Sequence, residues 1–174
     1  MPHRSGCPVG RRQPAFPQRH GKGGALNRVV QQLREADEFS VFARNLFFEA
    51  RGESDLGIVA VGWVVLNRMD DPRWARPQES LKTIILQRNQ FSWTRSDDPQ
   101  NRWALTPWKQ NAAQWERAQR LARLVLNGCV PDPTKGANHY LNVQACRKSR
   151  WGVPRWYQPA KVTAVVGRHT FLRL

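Results

Sequence analysis

Cysteine is scarce in this chain of 174 residues: Cys7, Cys129 and Cys146 form no CxxC pair and show no metal-ligand spacing. Only four histidines accompany them, none in an HExxH, so neither a metal centre nor any other cofactor is expected. Cys129 and Cys146 could close a disulfide in an oxidising compartment, but an odd count favours free thiols. The GxxxxGK[ST], GxGxxG and GxSxG patterns are all missing, which removes the usual sequence support for NTP hydrolysis, dinucleotide binding and an α/β-hydrolase nucleophile. The longest apolar run, residues 58–66, has nine residues, against the roughly 20 that a membrane-spanning helix needs. No apolar stretch follows the N-terminal arginines, so no secretory signal peptide is read there. Acidic residues are few, 13 Asp and Glu against 28 Lys and Arg, for a net charge of +15. That excess attracts polyanions: nucleic acid, an acidic membrane surface, or the anionic polymers of a bacterial envelope.

What is present is enough for one domain and a tail. Eight Trp and seven Phe supply a core that a disordered chain would lack. Residues 1–34 carry seven basic side chains and no acid, leaving 21 basic and 13 acidic groups in the rest. From residue 1 to about residue 25 there are four prolines, five glycines and no apolar periodicity, a composition that cannot offset its own ordering entropy. The expected division is a disordered basic tail over 1–34 and a folded domain over 35–174, acting as a monomer.

Within the domain, Phe39, Phe42, Ala43, Leu46, Phe47 and Ala50 fall at helical spacing over residues 35–50, with Glu35, Asp37 and Glu38 in the first turns and Gly52 as a stop. Ser54 or Asp55 can cap a second helix through Ile58, Val61 and Val65, although the evenly apolar run 58–66 also fits a buried strand. Two Asp-Asp-Pro turns, at 70–72 and 97–99, bracket a loop-rich stretch with a short helix over 81–87. Thr106-Pro107 reads as an N-cap and N1 pair opening one helix that carries Trp108, Ala112, Trp115, Ala122 and Leu126 and closes at Gly128. Residues 161–166 and 169–172 flank Gly167-Arg168 as a terminal hairpin. The expected fold class is α+β, mostly helical, with a small C-terminal β-hairpin.

Glu49 stands out chemically. It lies three residues after Leu46 and seven after Phe42, on the edge of the apolar stripe, where partial desolvation raises a carboxyl pKa toward the range of a general acid. A carboxylate at a stripe edge can equally be a cap or an ion-pair partner. Its neighbourhood, Glu49-Ala50-Arg51-Gly52-Glu53, gathers two acids and a glycine at a helix end, where a side chain can face a cleft.

The run Phe48-Glu49-Ala50-Arg51-Gly52-Glu53, followed by Gly57-Ile58-Val59-Ala60-Val61 and Val64-Val65-Leu66-Asn67-Arg68, resembles the signature of the SleB-type cell wall hydrolases, the spore cortex-lytic group of the lysozyme-like superfamily. Gln90-Phe91-Ser92-Trp93 resembles a second block, and Gly136-Ala137-Asn138-His139-Tyr140 with Gly167-Arg168-His169-Thr170-Phe171 a third. The resemblance implies a lysozyme-like domain that cuts the glycan strand of peptidoglycan as a muramidase or lytic transglycosylase, with Glu49 as the acid that protonates the glycosidic oxygen. Glu53 would tie down the turn beneath Glu49, through Arg51. Gln90 and Ser92 can hydrogen-bond sugar hydroxyls or acetamido groups; His139, Tyr140 and Asn142 offer a polar and aromatic wall; Trp93 and some of Trp103, Trp151 and Trp156 could stack on pyranose faces. Trp63, Trp108 and Trp115 read as core, and His169 as structural. Phe47-Phe48 departs from the small or polar residues more usual in that family before the acid. No clear second carboxylate accompanies Glu49, so attack by the muramic acid's own 6-hydroxyl stands beside hydrolysis.

Two rival classes explain the composition. A basic, Trp-rich nucleic-acid-binding module would account for charge and aromatics, but not for three ordered blocks, and no helix-turn-helix or RNP motif is present. An inactive structural component of a phage or envelope would keep the fold without the chemistry. The preferred reading expects peptidoglycan as the substrate, anionic envelope polymers as partners through charge, no nucleic acid, and action in the periplasm or envelope, as a phage lysin or virion-borne enzyme in the absence of an export signal.

Overall fold

The computed structural model describes residues 28–76 and 79–174. Its elements in chain order are helices α1 (Arg28–Glu35), α2 (Glu38–Ala50), α3 (Asp55–Met69), α4 (Leu81–Leu86), α5 (Pro107–Gln110) and α6 (Ala112–Leu126), strand β1 (His139–Leu141), helix α7 (Val143–Lys148), and strands β2 (Val162–Val166) and β3 (His169–Leu172). The expected tail boundary at residue 34 falls inside α1, whose Leu33 is buried in the core. The folded unit therefore starts at least as early as Arg28. The tail expected over 1–27 lies outside the described residues.

Helices α2, α3 and α6 pack on one another around Phe42, Leu46, Ile58, Val61, Val65, Leu121 and Val125, all buried. Asp37 caps α2, its carboxylate accepting the Ser40 N–H at 2.7 Å, so the helix begins one turn later than Glu35. Ser54 caps α3 by accepting from Gly57 N, and the ambiguous run 58–66 is a helix buried on nearly every face. Gly62 lets the three helices close up: a Cβ there would sit 3.2 Å from Phe42 Cζ and 3.4 Å from both Leu46 Cδ2 and Val125 Cγ1.

The long helix expected from Pro107 is two helices. Thr106 makes no side-chain cap, and Asn111 adopts an extended backbone (φ −163°) and caps α6 by accepting from Gln114 N. A good N-cap four residues into a periodic pattern breaks it, because the Asx bond competes with helix continuation. The break leaves Trp108 on the short α5 and exposed, not in the core, while Trp115 is buried and Trp63 packs partly buried against the core. Gly128 ends α6 at φ +66°.

The terminal hairpin β2–β3 is present and gains a partner the sequence did not reveal. Strand β1 pairs antiparallel with β3, with His139 opposite Leu172, Tyr140 opposite Phe171 and Leu141 opposite Thr170, giving the order β1-β3-β2. Three residues are too few for an alternation signal. Cys129 and Cys146 are free thiols.

Candidate active site

The last turn of α2 and strand β1 meet at Glu49. Tyr140 of β1 donates its hydroxyl to Glu49 Oε2 at 2.8 Å. Burial pushes the Glu49 carboxyl up from its usual range, and the charge of Asp98 adds to this, while the Tyr140 bond and the Arg68 cation pull the other way; the net direction is upward. Tyr140 itself is raised by burial and by Glu49, which keeps it a hydrogen-bond donor. Glu49 faces a cavity of about 530 Å3. One wall is aromatic, built from Trp74, His139 and Trp156, with the His139 ring 5.1 Å from Trp74 and 5.3 Å from Trp156. Arg88, Asn89 and Gln90 also line it, and Arg68 and Phe91 complete the lining. Among the described residues Glu49 is the one carboxylate that lines this cavity.

The ends of α3 and β1 are bolted together. Asn67 Nδ2 donates to Ala137 O at 2.9 Å and to Asp132 Oδ2 at 3.1 Å, and Arg68 Nε donates to Asn138 O at 2.8 Å. Asp132 in turn accepts from the backbone N–H groups of Thr134 and Gly136, shaping the turn that delivers β1. The Asn67-Arg68 end of one sequence block thus positions the Asn138-His139-Tyr140 of another. Burial, with Arg68 and Arg73 nearby, pushes His139 down to about 4, so its ring is neutral at physiological pH, with Nδ1 2.8 Å from Asn138 Oδ1.

A family model for cell wall hydrolases matches residues 52–172. The chain belongs to the cell wall hydrolase family. Its fold is similar to that of the catalytic domain of the germination-specific lytic transglycosylase SleB from Bacillus anthracis, with a TM-score of 0.55 and 23% identity over 88% of this chain and 99% of that one. The catalytic domain of the Bacillus cereus SleB protein is similar as well, with a TM-score of 0.53 and 23% identity over 87% of this chain and 100% of that one. No curated protein matches the chain. The α+β, lysozyme-like architecture expected from the sequence is the one these structures share.

In this cell wall hydrolase the cavity gathers Glu49, Gln90, His139 and Tyr140 from three separate stretches of the sequence. Trp156 joins them, while Trp103 and Trp151 stand outside the lining. Four expectations for the site do not hold. Trp93 is 0% exposed, stacked on Phe48 at 5.1 Å, with its indole N–H donated to Asn45 Oδ1, so it offers no face to a sugar. Ser92 is exposed away from the cavity lining. Asn142 spends its side chain capping α7, accepting from Ala145 N. Arg51 reaches Gln100 Oε1 at 3.2 Å and lies over the Phe47 ring, not on Glu53.

Glu53 does anchor a turn, by another route. Its carboxylate accepts from the backbone N–H of Arg168 at 3.2 Å and from Arg168 Nε at 2.6 Å, which binds the β2–β3 turn to the α2–α3 junction. Gly167 is required there: its φ is +57° and a Cβ would fall 2.2 Å from Glu53 Oε2. His169 packs against Tyr140 and Phe171, a structural place as expected. Sequence reasoning gave no role to Arg68, Trp74, Arg88 or Asn89. Arg68 was visible as the end of a family block; Trp74 and the Arg88-Asn89 pair sit in loops, where no periodicity points inward.

Proposed function

We propose that the chain cuts the glycan strand of peptidoglycan, with Glu49 as the general acid. The observation that carries this reading is a desolvated carboxyl, raised in pKa, in the lining of a cavity with an aromatic wall. Tyr140 donates to Oε2, which leaves the acidic proton on Oε1. Protonation of the bridging oxygen by Glu49 lets the C1–O bond of a muramic acid residue break as positive charge develops at C1.

A single carboxylate favours the intramolecular route over a water activated by a second acid. Here the 6-hydroxyl oxygen of the same sugar bonds to C1 and its proton passes to the Glu49 carboxylate, which returns to the acid form and leaves a 1,6-anhydro end. The B. anthracis relative is described as a lytic transglycosylase, in keeping with that route. His139, Trp74 and Trp156 supply ring faces for the sugars and Gln90 a polar contact. The net charge of +15 holds the enzyme to anionic envelope polymers. The same reading extends to a phage lysin or a virion-borne enzyme, whose substrate lies in the envelope.

The test is incubation of purified peptidoglycan with the wild-type protein and with Glu49→Gln, following turbidity and the reducing or 1,6-anhydro ends. The variant should lose at least about 100-fold in rate, the usual contribution of a general acid, and the wild-type fragments should carry 1,6-anhydro ends. Undiminished cleavage by Glu49→Gln would remove Glu49 from the role, and a folded wild-type protein that releases nothing would overturn the glycosidase reading.

A further inference from the structure

The side chain of Arg68 is 6% exposed, yet it lines the cavity that holds Glu49. Its guanidinium carbon lies 4.2 Å over the Trp74 ring and 5.5 Å from the centre of the Phe91 ring, and Nε is committed to Asn138 O. Nη1 is fully buried and has no hydrogen-bond partner among the described residues. No carboxylate of the described residues forms an ion pair with it. A desolvated guanidinium with donors unspent is costly to keep, and burial pushes its pKa down to about 10. Arg88 adds a second cationic side chain to the lining of the same cavity.

A planar cation fixed by two aromatic rings, with donors unspent and in the lining of a substrate cavity, is suited to a carboxylate. On a glycan strand the carboxyl nearest the bond that Glu49 would break is the lactyl group on C3 of muramic acid. It is ionised only where no stem peptide is attached, because attachment turns it into a neutral amide. We infer that Arg68 selects muramic acid residues with a free lactyl carboxylate, so that the enzyme works on glycan from which the stem peptides have been removed. This rests on the glycosidase reading above.

The test compares three strands of equal length: peptide-free glycan, the same glycan with its lactyl carboxyls coupled to methylamine, and glycan still carrying its stem peptides. Initial rates with the wild-type protein and equilibrium binding with Glu49→Gln are both measured. The free carboxylate strand should be cleaved and bound at least about tenfold better than the methylamide, the scale of one charge-assisted hydrogen bond. Arg68→Lys keeps the charge but not the fork, and should lose most of that preference. Should that variant fail to fold, the wild-type comparison decides alone. Equal handling of carboxylate and methylamide strands overturns the inference and leaves the glycosidase reading standing. A peptide-bearing strand that matches or exceeds the free carboxylate strand also overturns it, assigning Arg68 to a stem carboxylate or to none. If no strand is cut, the glycosidase reading fails, and the binding ratio by itself supports the inference at tenfold or overturns it at unity.

Discussion

At Glu49 the protein holds a carboxyl where folding disfavours its charge. Because the folded pKa lies above the unfolded one, the folded state binds the proton more tightly, and stability falls as pH rises from the ordinary carboxylate range through the folded pKa. Glu49→Gln keeps the shape and an oxygen able to accept from Tyr140 while removing that penalty. Its melting temperature should exceed that of the wild-type protein at neutral pH, with the difference vanishing below the ordinary carboxylate range, as thermal scans across pH would show. An equal or lower melting temperature at neutral pH would mean that the carboxylate is not desolvated. Burial sets the direction at this one group, and Tyr140, Asp98 and Arg68 modulate it from β1, a loop and α3. The partial burial of this carboxyl was legible from its place on the stripe edge, but its partners were not, since each lies at least 19 residues away in sequence.

Among the elements, the small sheet depends on one carboxylate that is not at the cavity. Burial alone would raise Glu53, yet its bonds from the Arg168 backbone and side chain, with His169 nearby, hold its pKa below the usual value. This contribution to stability is present above the unfolded carboxylate pKa and is lost as pH falls through the depressed folded value. Glu53→Ala should cost about 1.5–3 kcal/mol, the range for a charge-assisted hydrogen bond, measured by denaturant unfolding at neutral pH. It should also slow cleavage, because β3 carries β1 and Tyr140 with it. A variant as stable as the wild type would deny the turn its anchor. The sequence marks α2, α6 and the hairpin through caps and periodicity, and leaves α3 open between helix and buried strand because the run 58–66 is apolar throughout. It conceals β1 and the break at Asn111, the first because three residues make no pattern and the second because apolar spacing continues across it.

For the whole molecule, the charge distribution is the property that acts at a distance. Residues 1–27 carry five of the 28 basic side chains and no acid. Association with anionic wall material should weaken steeply with salt, since surface attraction is screened beyond a Debye length of about 8 Å at physiological ionic strength. Removing residues 1–27 should lower wall binding at low salt and flatten its salt dependence, while leaving the rate on short soluble glycan fragments unchanged. A pull-down with insoluble peptidoglycan across a salt series measures the first, and fragment analysis the second. Binding unaltered by truncation would assign retention to the folded domain, where Arg88, Arg120 and Arg123 are exposed.

The amino-acid sequence by itself determined the apolar core segments, the mostly helical α+β class, the basic excess and the candidate acid, because each is written locally: in apolar spacing, in composition, and in a block around Glu49. Only the tertiary structure decided what surrounds that acid. It turned Trp93 inward onto Phe48 and Asn45, spent Asn142 on a helix cap, and sent Glu53 to Arg168. It also placed Arg68 and Trp74 at the cavity. These outcomes depend on contacts between residues far apart in the chain, where the direction of a side chain follows from packing of whole elements and leaves no mark on its neighbours in sequence.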